Sequence, residues 1–237
     1  MLQNLFRNMG PVVKNILLLN VIMFVIQNVM PELNDNLALH YVNSDQFAPY
    51  QILAHFFMHG GIGHLFFNMF AVVIFGSQLE RVWGAKKFLL FYGLTALGAS
   101  LLYMGVQMFE MYQLTGTSFP DISNVTTNSY HSSLNWEIVD QSTFEGIQFG
   151  TVVGASGAVF GLLAGYAYLF PNNKLMLLFP PIPIKAKFFV LGYAALELYM
   201  GFANNPGDNV AHFAHIGGGL IGLLIVWLWG RSKSNNF

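Results

Sequence analysis

The chain has no cysteine. That excludes a disulfide framework, a thiolate metal site and a cysteine nucleophile. Charge is scarce as well: 9% of the 237 residues are Asp, Glu, Lys or Arg, against roughly 25% in ordinary soluble domains, so water is not the solvent this fold is built for. A formal net charge of −1 gives no sign of a nucleic-acid partner.

What is present is apolar length. Hydrophobic residues make up 54% of the chain, and runs of the roughly 17 to 25 residues needed to cross a bilayer fall near 12–29, 62–79, 86–109, 149–170, 186–203 and 211–230. All nine prolines lie outside these runs, as expected if the runs are helical. The first run follows Arg7 and Lys14 in the manner of a signal peptide. It ends in Gln27, Asn28 and Pro31 without a small-residue cleavage pattern, and is read as a retained span. The expected fold is an all-α membrane protein, a single domain over residues 1–237 with six transmembrane helices.

Charge is also missing from particular places. The ten Lys and Arg residues are Arg7, Lys14, Arg81, Lys86, Lys87, Lys174, Lys185, Lys187, Arg231 and Lys233, and all fall in alternate connections or the two tails. By the positive-inside rule both termini are cytoplasmic. Residues 30–61, 110–148 and 204–210 are then external loops, free of Lys and Arg but holding Glu32, Asp35, Asp45, Asp121, Glu137, Asp140 and Asp208. Asn124-Val-Thr126 in the second loop matches a glycosylation acceptor.

The second, fourth and sixth segments therefore all run inward from the outer face, and these carry polar residues that a bilayer excludes unless they serve a purpose. The second holds His55, His59, His64 and Asn68 in and just before it; the fourth holds Gly154-Ala-Ser156-Gly157; the sixth opens with His212 and His215. At 1.5 Å per residue, segments starting near 149 and 210 put Ser156 about 10 Å and His215 about 8 Å below the outer boundary, with Asn68 about 9 Å down. A hydroxyl and an imidazole at one depth are the parts of an activated nucleophile. His64 and Asn68, four residues apart on one face, stand where an oxyanion would form. Gly157, Gly161 and Gly165 on one segment, with Gly218 and Gly222 on the other, allow close helix packing. No Asp or Glu lies at matching depth in these three segments, so a third catalytic member is expected to be absent, with Phe160 stacking on the imidazole instead. Glu197 in the fifth segment is expected to be a satisfied polar residue, and Glu80 to pair with Arg81 or Lys86 or to cap a turn. His55 and His59 are read as structural, His40 and His131 as ordinary loop residues.

With Gly-Ala-Ser-Gly, His64-xxx-Asn68 and Ala-His-Ile-Gly-Gly in three successive inward segments, the chain closely resembles the rhomboid family of intramembrane serine proteases over roughly residues 12 to 230. Its Glu80 and Gly84 match that family's Glu-xxx-Gly. The resemblance implies Ser156 as nucleophile and His215 as general base, with the Ser156 N–H, His64 and Asn68 as oxyanion donors and Phe160, Gly154 and Gly157 in support. His215 is preferred to His212 because the family's catalytic His is followed by Gly at +3, here Gly218. The family's Trp-Arg pair is replaced by Tyr50-Gln51. Transmembrane proteins are the implied substrates, and the lipid bilayer the implied setting.

Two other chemistries have partial support. His55-xxx-His59 and His212-xx-His215 are spaced like helix-borne metal ligands, but the His-Glu-xx-His of a zinc protease is missing, and no paired aspartates lie in the spans. No metal or cofactor is expected. A catalytically inactive, client-binding relative is the alternative, and would be favoured by loss of the Ser or His. A prokaryotic plasma membrane, with the site open to its outer face, is the expected location.

Overall fold

The computed structural model describes residues 9–120, 141–176, 181–203 and 211–234. The glycosylation motif, His131 and the 204–210 loop lie outside them.

Helix α1 (Pro11–Val29) starts with proline at its first position, where no intrahelical N–H is needed. Its Val12 and Val13 N–H groups donate to Glu80 Oε1 and Oε2, each at 3.0 Å. Glu80 is thus a cap, as one of its expected roles had it, but for a helix distant in sequence: a buried carboxylate at the positive end of α1. The first external loop folds into α2 (Glu32–Leu37) and α3 (Gln51–Ala54), the latter continued by a 3₁₀ turn, His55–Phe57.

Helix α4 (Ile62–Trp83) runs without a break through a π-helical stretch, Val72–Gly76, and stops where Gly84 takes a φ of 75°. Helix α5 (Ala85–Thr115) is 31 residues long and passes the expected end at 109 before Gly116, in the left-handed conformation, terminates it. The start of the 110–148 segment is therefore helical, as is its end, α6 (Gln141–Phe149).

Helix α7 (Ser156–Leu169) departs most from expectation. It has 14 residues and begins at Ser156 instead of near 149, giving about 21 Å of rise, less than the ~30 Å hydrocarbon layer. It is also the most enclosed element, with every residue from Gly157 to Tyr166 buried. A hairpin of β1 (Lys174–Met176) and β2 (Pro183–Lys185), pairing Leu175 with Ile184, leads into α8 (Ala186–Ala203) and then α9 (His212–Ser234).

Among the described residues five helices are long and apolar enough to cross a membrane: α1, α4, α5, α8 and α9 up to Gly230. Their outward faces expose Leu18, Leu89, Leu191 and Leu223, residues suited to acyl chains.

The glycine stripes bring α7 into contact with two neighbours. A Cβ on Gly218 or Gly222 of α9 would strike the carbonyl of Gly157 or Gly161, so these two backbones touch as the small-residue spacing implies. The stripe on α7 itself faces elsewhere: Cβ atoms on Gly157, Gly161 and Gly165 would meet Ala99, Thr95 and Phe91 of α5. Gly218→Ala is expected to lower stability by about 1–3 kcal/mol through overpacking. Gly219, where an added Cβ would meet nothing within 4 Å, is the matched control. Thermal unfolding in detergent should separate the two variants, and equal midpoints would refute the close contact.

Candidate active site

Ser156 is reached along an extended stretch of chain. Leu39 and Val152 exchange backbone hydrogen bonds of 2.9 and 3.0 Å, and the Gly154 N–H donates to the His55 carbonyl at 2.8 Å. Gly154 then turns with a φ of +126°, which only glycine tolerates well. A Cβ there would also sit 2.7 Å from His64 Cε1 and 2.8 Å from His64 Nε2. Helix α7 starts immediately afterwards, so the hydroxyl is presented from a first turn, and a depth counted along a helix from 149 does not apply. First-turn N–H groups have no intrahelical acceptor, and that of Ser156 is one of them.

His215, in the first turn of α9, places Nε2 2.8 Å from Ser156 Oγ. Its ring lies flat on Phe160, with centroids 4.4 Å apart and planes 7° from parallel, and Phe160 in turn leans on Tyr193 at 4.8 Å. Phe160 stands one helical turn beyond Ser156, so one short stretch of α7 supplies both the hydroxyl and the plate that holds its partner ring.

Asn68 and His64 approach from α4. The Asn68 amide nitrogen would lie 3.7 Å from a Cβ on Gly154, and it is buried with no hydrogen-bond partner among the described residues. An unmet buried donor costs about 1–3 kcal/mol, a penalty tolerated where a group awaits a ligand.

The expectation that no carboxylate reaches the imidazole is corrected. Glu197 Oε2 lies 2.8 Å from His215 Nδ1 and 2.6 Å from His212 Nδ1, and the three residues are 5%, 8% and 7% exposed. The second, fourth and sixth apolar segments hold no such carboxylate, and Glu197 arrives on α8. An acidic residue alone in an apolar span was the available signal. These donor atoms lie within 4.8 Å of one another. Their N···O separations are hydrogen-bond lengths, shorter than the ~3.3 Å edge of a tetrahedral zinc site with ~2.0–2.1 Å bonds. His212 meets this carboxylate through its Nδ1, and it is His215 that faces the serine.

A family model of the rhomboid domain matches residues 46–232, which takes in every one of these groups. The chain belongs to the rhomboid family. Among its relatives, mitochondrial rhomboid protein 1 of Saccharomyces cerevisiae is 28% identical over 176 residues, covering 74% of this chain but 40% of the yeast protein. Rhomboid protease GlpG of Yersinia pestis is 24% identical over 235 residues, 98% of this chain and 67% of that protein. The rhomboid domain and the apolar helices together identify a multi-pass membrane protein.

The remaining rhomboid-pattern residues form the surroundings of the site. Gln51 ties the first loop together: its Oε1 accepts from the Ala48 N–H at 3.2 Å, and its Nε2 donates to the Gln46 and Asn36 carbonyls at 2.9 and 3.2 Å. His55 Nδ1 contacts the Gln51 carbonyl at 2.7 Å. A carbonyl only accepts, so Nδ1 carries the proton, and Nε2 lies 3.3 Å from the Ser100 hydroxyl, which also reaches the Ala96 carbonyl at 3.1 Å. Burial pushes His55 and His59 down to about 4, so both are neutral at ordinary pH. The expected structural reading fits the His55 ring contact with the loop; at His59 it is the backbone that trades hydrogen bonds with Gln27, while its ring stands edge-on to His64 at 5.1 Å and both ring nitrogens are buried without a hydrogen-bond partner among the described residues. His40 is buried in its loop, with Nε2 2.8 Å from the Asp35 carbonyl. Behind Ser156 a small pocket is lined by His55, Ser100, Tyr103, Gly154 and Ala214.

Proposed function

We propose that the protein is an intramembrane serine endopeptidase that hydrolyses peptide bonds in or near the transmembrane segments of other membrane proteins. The observation that carries this reading is the 2.8 Å contact between Ser156 Oγ and His215 Nε2, with the Asn68 amide nitrogen close to Gly154, buried and without a hydrogen-bond partner among the described residues. His215 takes the hydroxyl proton as Oγ attacks the scissile carbonyl. The negative charge on the tetrahedral intermediate is met by the Ser156 N–H, the Asn68 amide and His64. The proton then passes from His215 to the leaving amine, and water hydrolyses the acyl-enzyme by the same route in reverse.

Five long helices plus the short α7 make up the six-span, single-domain bundle of this reading. Both termini are cytoplasmic, as the ten cationic residues indicate. The site then opens to the outer face of a prokaryotic plasma membrane, in keeping with the bacterial relative. A substrate helix, locally unwound near its outer end, enters between α4 and α8.

The test is cleavage of a single-span model substrate by the purified protein in proteoliposomes. Asn68→Ala should lower kcat by about 10²- to 10³-fold, the usual effect of losing one oxyanion donor. Loss of less than about threefold would remove Asn68 from this role. A wild-type protein that binds the substrate but neither cuts it nor reacts with a fluorophosphonate would instead support the inactive client-binding alternative.

A further inference from the structure

Glu197 is a carboxylate in an apolar helix, 5% exposed, with two imidazole nitrogens on one of its oxygens. Such a group is retained only at considerable desolvation cost. Cluster geometry shows what the arrangement does. A carboxylate can accept hydrogen bonds and cannot donate them. The proton between Glu197 Oε2 and His215 must therefore sit on Nδ1, which leaves Nε2 with a bare lone pair aimed at Ser156 Oγ, 2.8 Å away. That is the tautomer a general base needs, and the opposite tautomer would present an N–H to a hydroxyl it has to deprotonate. His212 Nδ1 donates to the same oxygen at 2.6 Å. The two imidazoles hold the carboxylate between them, fixing the oxygen on the His215 side, while Phe160 fixes the ring plane.

We propose that Glu197 is the positioning residue of the base, the third member of a Ser156–His215–Glu197 triad in which His212 buttresses the carboxylate. The inference rests on the serine-protease reading above. On proton transfer from Ser156, His215 becomes an imidazolium facing a full negative charge. Glu197 keeps its own charge state through the cycle, since the proton returns from Nε2 to the leaving amine.

The experiment measures kcat and KM separately for the reconstituted wild type, Glu197→Ala, Glu197→Gln and Glu197→Asp, with thermal midpoints alongside. Removing the acid of a soluble triad lowers kcat by about 10⁴-fold. Phe160 still orients the ring here, so Glu197→Ala is expected to lose roughly 10²- to 10³-fold in kcat with KM within about threefold. Asp should recover more turnover than Gln, because the charge matters as well as the acceptor. Imidazole ¹⁵N spectra supply a reading that a merely structural role would not move: His215 carries its proton on Nδ1 in the wild type, and Glu197→Ala shifts population to Nε2. The proposal is overturned if Glu197→Ala or Glu197→Gln keeps kcat within about threefold of wild type, or if the tautomer does not respond. Should Glu197→Ala not fold, the Gln and Asp variants and their spectra decide alone. Failure of the parent reading is separately visible: either the wild type would neither cut substrate nor react with the fluorophosphonate, or a Ser156→Ala protein would still do so.

Discussion

Ser156→Ala is expected to abolish fluorophosphonate labelling of the detergent-solubilised protein and to lower cleavage of a transmembrane substrate by at least about 10⁴-fold. A serine hydroxyl has little nucleophilicity of its own, and a phosphonyl probe reports only a hydroxyl made reactive by a base. The one structural change is loss of Oγ from the first residue of α7. Alanine is at home at a helix start that is not a cap, so the fold should survive and the thermal midpoint should stay near that of the wild type. Labelling is preferable to cleavage as the first measurement because it needs no knowledge of the natural substrate. Equal labelling of the wild type and the variant would move the reactive group elsewhere and end the assignment.

The sequence exposed this site unevenly, and the reasons are physical. Polar residues in apolar spans are costly enough that the histidines and Asn68 stand out, while Ser156 and the choice of His215 over His212 rest on the motifs around them, and the structure brings Ser156 to His215 and Gly154 to both His64 and Asn68. Hydropathy finds a span by its apolar length, and by that measure 149–170 reads as one helix. Gly150 to Ala155 belong to that apolar run but are drawn out of helical form by the Leu39 bridge and the His55 carbonyl, partners from a loop more than 90 residues earlier. No local pattern encodes such contacts. Glu197 was visible for the same reason as the histidines, yet its role depends on how α8 packs beside α9. Gln51 shows the converse: a neutral side chain in a polar loop gives no signal, and its organising hydrogen bonds are evident only in three dimensions.

His215→Ala should be as inactive as Ser156→Ala, whereas His212→Ala should keep a measurable share of turnover, within roughly 10- to 100-fold of wild type. Both histidines lie in the first turn of α9 and both donate to Glu197, so burial and charge environment do not separate them. Direction does. Nε2 of His215 meets Ser156 Oγ at 2.8 Å, while the His212 ring is turned almost perpendicular to that of His215, with centroids 6.4 Å apart. Removing His215 leaves the hydroxyl without a proton acceptor, and residual turnover would come from oxyanion stabilisation and binding alone. Removing His212 takes away one of the two hydrogen bonds that the described residues make to the carboxylate, and its effect on the serine passes through Glu197 and then His215. Two intervening contacts attenuate such an effect because each is also held by other groups, His215 by Phe160 and Glu197 by His215 itself. Side-by-side cleavage assays on the two alanine variants decide the matter: an inactive His212→Ala beside an active His215→Ala would transfer the base to His212, and with it the proton path through α9.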